Sequence, residues 1–184
     1  FWLRPMRQWD DRFCQVSILQ LRFCYYGCIS QQVDRIVKKT VAVPATVKSA
    51  IVKTLRANQG RLGNGELSLQ GNGVGNLSWA CRIKASDDNA MDSLSEQILV
   101  WHLATTLLEA SDDNKDHPVP PAGEAALMLS RYCAYLVAYE PRLLPDDPAW
   151  TEKAYRDIKA DLAGFFQGCC TCSSTDRRKR LMAA

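Results

Sequence analysis

The chain has little that would commit it to an enzyme, a membrane span or a nucleic-acid partner. Histidine occurs only twice among 184 residues, at His102 and His117. Two histidines far apart do not make a dedicated metal site, and no metal or cofactor is expected. No segment reaches the ~20 apolar residues needed to cross a bilayer. The nearest are Ile98–Leu108, interrupted by His102, and Ala122–Tyr139, which carries Glu124 and Arg131. Charge of one sign is also missing from the body. The net charge of +3 is that of residues 169–184 alone, which leaves 19 basic and 19 acidic side chains elsewhere. A neutral body carries no general footprint for a polyanion, so nucleic-acid binding is not expected of it. The opening residues Phe1 to Pro5 show no basic leader before an apolar stretch. The expectation is a chain that begins inside a longer polypeptide.

Hydrophobic residues at 47% and charged residues at 23% are ordinary for a folded globular chain. The eight cysteines are Cys14, Cys24, Cys28, Cys81, Cys133, Cys169, Cys170 and Cys172. Without a secretory context they are read as reduced thiols, and Cys133 in an apolar helical run as a small hydrophobe.

The pattern predicts a mainly α fold. Apolar positions from Trp9 to Lys39 fit one interrupted helix or two shorter ones, weakened at Gly27. Val43-Pro44 opens a helix with Val47, Ile51 and Leu55 on one face, ending near Asn58-Gln59-Gly60. The Gly/Asn-rich stretch that follows, with Asn64-Gly65 and Asn72-Gly73 as turns, reads as a loop. A small hairpin with strands near Leu67–Leu69 and Leu77–Cys81 is the alternative.

Ser93-Leu94-Ser95-Glu96 is a capping-box pattern before a run, Ile98–Leu108, that is apolar on nearly every side, as in a helix at the centre of a core. A second helix is predicted from Ala122 to Glu140, stopping before Pro141. A third starts from Asp147-Pro148 and ends near Gly168. The expected organisation is N-terminal helical segments over 1–58, a connecting region over 59–89 and a three-helix, bundle-like domain over 90–168. A disordered Cys/basic tail over 169–184 completes it.

Several blocks carry a resemblance: Val43-Pro44 with Lys48–Leu55, Asn64-Gly65, and Leu77-Ser78-Trp79-Ala80-Cys81. After them come Ile98 to Thr105 with Trp101-His102, Leu129 to Leu136 with Ser130 and Tyr132, and Pro141 to Asp146. In order and spacing, over roughly residues 40–165, they are similar to plant proteins that pair the domains of unknown function 4220 and 594. The resemblance implies a cytoplasmic C-terminal part of a multi-pass membrane protein. It implies no activity, cofactor or catalytic residue. Trp101, His102, Thr105 and Tyr132 are its motif residues and are expected to be structural.

Each candidate for chemistry has a plainer alternative. His102 has Ile98, Leu99, Thr105 and Thr106 as its helical neighbours and no local carboxylate, so it reads as a packing histidine that the threonines hydrogen-bond. The rival is an enzyme or ligand site in which Glu140 or Asp146 reaches it from a distance. Asp112 to Asp116 departs from a calcium loop at His117, Pro118 and Gly123. The glycine clusters complete neither phosphate-binding fingerprint, and Asn76-Leu77-Ser78 matches the glycosylation tripeptide only formally.

In the tail, Cys169, Cys170 and Cys172 are candidate lipidation sites. Arg177, Arg178, Lys179 and Arg180 are candidate contacts to an anionic membrane surface, or a nuclear import patch. The expected function is a non-enzymatic interaction or scaffold part with an unknown protein partner, soluble itself and membrane-associated through the rest of its protein. Tail-mediated polyanion binding is a further alternative.

Overall fold

A computed structural model describes residues 11–20, 38–60, 65–71, 73–81, 93–112, 121–166 and 173–183. The fold is mainly α, as the pattern predicts, with a small two-stranded sheet. Strand β1, Arg12–Gln15, pairs antiparallel with β2, Lys39–Ala42, in the register Phe13↔Val41 and Cys14↔Thr40. A 3-10 turn, Ile18–Gln20, follows β1.

The first two regions differ from expectation. Residues 12–15 are a strand where the apolar spacing suggested helix, because Phe13 and Gln15 turn to the protein and Arg12 to solvent in a two-residue alternation. The rest of that reading, residues 21–37, lies outside the described residues. The Gly/Asn-rich region carries no hairpin among its described residues. A short helix α2, Glu66–Gly71, and a 3-10 segment, Gly75–Cys81, occupy it instead. Gly65 and Gly73 still take positive φ, 95° and 75°, as their turns require.

Helix α1, Ala45–Ala57, starts behind Pro44 and stops where Gln59 and Gly60 turn left-handed at φ 50° and 75°. Its Val47 is fully buried against Phe13, Val43 and Ala125. The larger helices are α3, Leu94–Asp112, α4, Pro121–Tyr139, and α5, Pro148–Phe165. The Asp147 side chain caps α5 by accepting from the amides of Ala149 and Trp150 at 2.8 and 3.2 Å. Helix α4 is the central element: α3, α1, β1 and α5 all pack on it. The main core gathers Ile18 and Leu19 from the segment after β1, Leu99 from α3, Val137 from α4, and Tyr155, Leu162 and Phe166 from α5.

Helix α3 is not enclosed all round. Leu99, His102 and Thr106 face inward, whereas Val100, Trp101 and Leu108 are 50%, 39% and 64% exposed. Helices α4 and α5 and a last helix pack against it. That last helix, α6, Ser174–Met182, corrects the reading of the tail as disordered over these residues, while 169–172 lie outside the described residues. Ser173 and Asp176 form a capping box: the Ser173 hydroxyl accepts from the Asp176 amide at 3.2 Å, and the Asp176 carboxylate accepts from the Ser173 amide at 3.1 Å. The Ser173 hydroxyl, donating to that carboxylate at 2.8 Å, and then the Ser173 amide hold the Asp176 carboxyl below its ordinary pKa.

Candidate functional site

His102 lies on the inner face of α3 with 1% of its surface exposed. Both ring nitrogens are occupied. The backbone N–H of Ile18 donates to Nε2 at 3.2 Å, and Nδ1 lies 3.0 Å from the hydroxyl of Ser130 on α4. An amide can only donate, so Nε2 must be the bare nitrogen and Nδ1 must carry the proton. The direction of the whole chain follows. Nδ1–H donates to Ser130 Oγ, and Ser130 O–H donates to Thr105 Oγ1 at 2.7 Å. Thr105 O–H closes the chain on the carbonyls of Trp101 and His102 at 2.9 and 3.0 Å.

A charged ring would place two donors nose to nose at Nε2. Burial, helped by the positive charge of Arg131, accordingly lowers the pKa of His102 to about 4. The ring is buried and hydrogen-bonded, with partners other than the threonines that were expected. Thr105 and Thr106 bond the backbone carbonyl of His102, the latter at 2.7 Å, and the ring itself is held by Ser130 and the Ile18 amide. Ser130 is the residue that sequence reasoning missed. Its signal was its place in the Leu129–Tyr132 block, which the fold brings against the Trp101–Thr105 block.

Neither carboxylate proposed for the rival site serves His102. Asp146 caps the start of α3, accepting from the amides of Leu94 and Ser95 at 3.3 and 2.8 Å and from the Ser95 hydroxyl at 2.8 Å. The expected Ser93 cap is present beside it, accepting from the Glu96 amide at 3.3 Å. Glu140 accepts from the Tyr135 hydroxyl at 3.2 Å. Burial first, then the charges of Cys14 and Glu140, raise the pKa of that phenol.

Tyr132 also has a packing role. Its ring stacks on Phe13 at 4.5 Å between centroids and begins a ladder that continues through Tyr135 and Tyr139. Lys38 lies over its last two rings, with its ammonium 4.8 Å from the centre of Tyr135 and 5.6 Å from that of Tyr139. The Trp101 indole donates to the carbonyl of Ala80 at 3.1 Å, tying the 3-10 segment to the outer side of α3.

The basic run is divided by the geometry of α6. Arg177 and Arg178 are 5% and 8% exposed. Arg177 donates to the carbonyl of Leu19 at 3.1 Å, and Arg178 reaches Glu109 at 3.3 Å. Glu109 is already bound by Arg131 at 2.6 and 2.7 Å, so one carboxylate joins α3, α4 and α6. Only Lys179 and Arg180 of the four project to solvent. The candidate lipidation sites Cys169, Cys170 and Cys172 lie outside the described residues, as do His117 and most of the calcium-like loop.

Beside this polar chain is a cavity of about 420 Å³ between α3, α4 and the 65–81 region. Its wall is made by Gly65, Leu69, Cys81, Leu94, Gln97, Ile98, Trp101, Ser130 and Cys133, and His102 is not among them. The Gln97 side-chain N–H donates to the Cys81 carbonyl at 3.0 Å. Burial raises the pKa of Cys133, which favours thiol over thiolate. Among the described residues, no group of three or more His, Cys, Asp and Glu is placed to hold a metal ion. No helix among them is long and apolar enough to cross a membrane.

Comparison with protein-family models, curated proteins and solved structures gives no match.

Proposed function

We propose that this chain is a non-catalytic helical interaction module of a larger, membrane-associated protein of the kind found in the plant family it resembles, facing the cytoplasm. The observation that carries the reading is the division of α3 into two faces. On the inner face, both nitrogens of His102 are consumed in holding the Ile18 amide and Ser130. That leaves the ring no free position for general acid or base work. On the outer face, Trp101, Ala104 and Leu108 repeat at helical spacing and are exposed, with Trp79 of the adjoining segment 70% exposed. Large apolar side chains exposed along one helix face are the kind of surface another protein covers.

The test uses the full-length protein in its own membrane fraction, with a photo-crosslinking residue at position 108. The expected result is one discrete adduct to a different polypeptide, lost in a Trp79→Ser/Trp101→Gln variant that keeps its thermal midpoint. Turnover of a metabolite library by the purified wild type, abolished in a folded His102→Asn variant, would overturn the reading.

A further inference from the structure

We propose that the cavity between α3, α4 and the 65–81 region is a binding site for a planar, uncharged aromatic molecule that carries one hydroxyl or N–H donor. The size fits: about 420 Å³ falls within the roughly 300–1,000 Å³ of small-molecule sites. It is close to three times the ~150 Å³ cavity that accepts a single benzene ring, which leaves room for two or three fused rings.

The lining selects the chemistry. Among the described wall residues there is no carboxylate, ammonium or guanidinium, so an ionised ligand would meet no opposing charge from them for its lost hydration. The Trp101 ring and the sulfurs of Cys81 and Cys133 are the polarisable groups of the wall. Sulfur and indole both favour contact with an aromatic face over an alkyl chain. The Cys133 sulfur acts as a packing group, since burial favours its thiol over the thiolate.

Ser130, among the described wall residues, supplies a directional contact. Its hydroxyl proton is committed to Thr105, and one of its lone pairs accepts from His102. The remaining lone pair belongs to a wall residue of the cavity. Ser130 therefore accepts from a ligand and does not donate to it, because the amide of Ile18 fixes the direction of the whole chain. The site distinguishes a phenol from its methyl ether.

The experiment titrates the intact chain with 2-naphthol, 2-methoxynaphthalene and 2-naphthoate, following binding by calorimetry. Maleimide labelling of individual cysteines is read by peptide mass spectrometry alongside. The expected order is naphthol tightest, the methyl ether about fivefold weaker for one lost hydrogen bond, and the naphthoate at least about twentyfold weaker for its unpaired charge. Saturating 2-naphthol should slow labelling of Cys81 and Cys133 severalfold and leave Cys14, in the sheet, unchanged. Leu69→Trp, which fills the cavity from its α2 wall, should weaken naphthol binding at least about tenfold, as loss of the site volume requires. Absence of binding, equal affinity for all three compounds, or labelling of Cys81 and Cys133 that naphthol does not slow, overturns the proposal. The labelling result stands on the wild type even where Leu69→Trp fails to fold.

Discussion

The amide of Ile18 and Nε2 of His102 meet at 3.2 Å across 84 residues of sequence. This contact fixes the tautomer of the histidine and, through it, the direction of every hydrogen bond that follows in the chain. It also belongs to a set of three polar bonds that secure residues 16–19 to three different helices. The Val16 amide donates to the carbonyl of Arg131 on α4 at 3.1 Å, Ile18 donates to α3, and Leu19 accepts from Arg177 on α6. The apolar side chains of Ile18 and Leu19, both fully buried, complete the attachment.

Stability should therefore fall on mild acidification. His102 has a folded-state pKa near 4 against an ordinary 6.5, so the unfolded chain binds the proton more readily. The contribution is fully present above pH 6.5, is lost progressively as pH falls toward 4, and declines no further below that. Its size is on the order of 3 kcal/mol. Urea denaturation from pH 7.5 to 4 measures it, and a His102→Gln variant should show a flatter profile over that window.

Removing a link of the chain should cost stability in proportion to what it leaves unpaired. Ser130→Ala strands the buried Nδ1–H and is expected to destabilise by about 1–3 kcal/mol. Thr105→Val, whose hydroxyl also reaches exposed backbone, is expected to cost about 1 kcal/mol. Chemical denaturation of both single variants and the double variant should show non-additive effects, because the two residues share one hydrogen bond.

Glu109→Gln should destabilise by about 2–3 kcal/mol, since Arg131 and Arg178 would both lose the carboxylate between them. The loss should be visible first in α6. Amide exchange at residues 177–182 is expected to accelerate more than exchange in α4, which is also packed on α1, α3, α5 and β1.

Asp146→Ala should loosen the start of α3, where one carboxylate accepts from two backbone amides and from Ser95. The expected cost is about 1–2 kcal/mol, as for loss of a helix cap. Hydrogen exchange should rise at Leu94 and Ser95 and stay unchanged at the α5 cap formed by Asp147.

What could be read beforehand was local. Proline at Pro44 and Pro148, the Asp147 cap, and the four-residue rhythm of Val47, Ile51 and Leu55 each act within one turn of helix. All of them mark helices that are present. The Ser93 cap was legible for the same reason, whereas the help it receives from Asp146, 52 residues away from Leu94, was not. Strand β1 escaped because its partner, Lys39–Ala42, is distant and each strand has only four residues in which to show alternation. Helix α6 did carry a signal, Ser173 followed by Asp176 at capping-box spacing, but the charge run behind it suggested solvent. The two inward arginines depend on Glu109 and the Leu19 carbonyl, which no local pattern predicts. The lack of a carboxylate at helical spacing from His102 was legible, whereas its ring partners come from β1's continuation and from α4.

The measurement closest to the centre of this account is the side-chain ¹⁵N NMR spectrum of His102, recorded as a function of pH. The expected spectrum at neutral pH is that of a neutral ring with the proton on Nδ1 and a bare Nε2 coupled to the Ile18 amide, persisting until the pH approaches 4. A ring protonated at Nε2, or one that titrates near 6.5 as in free solution, would contradict it.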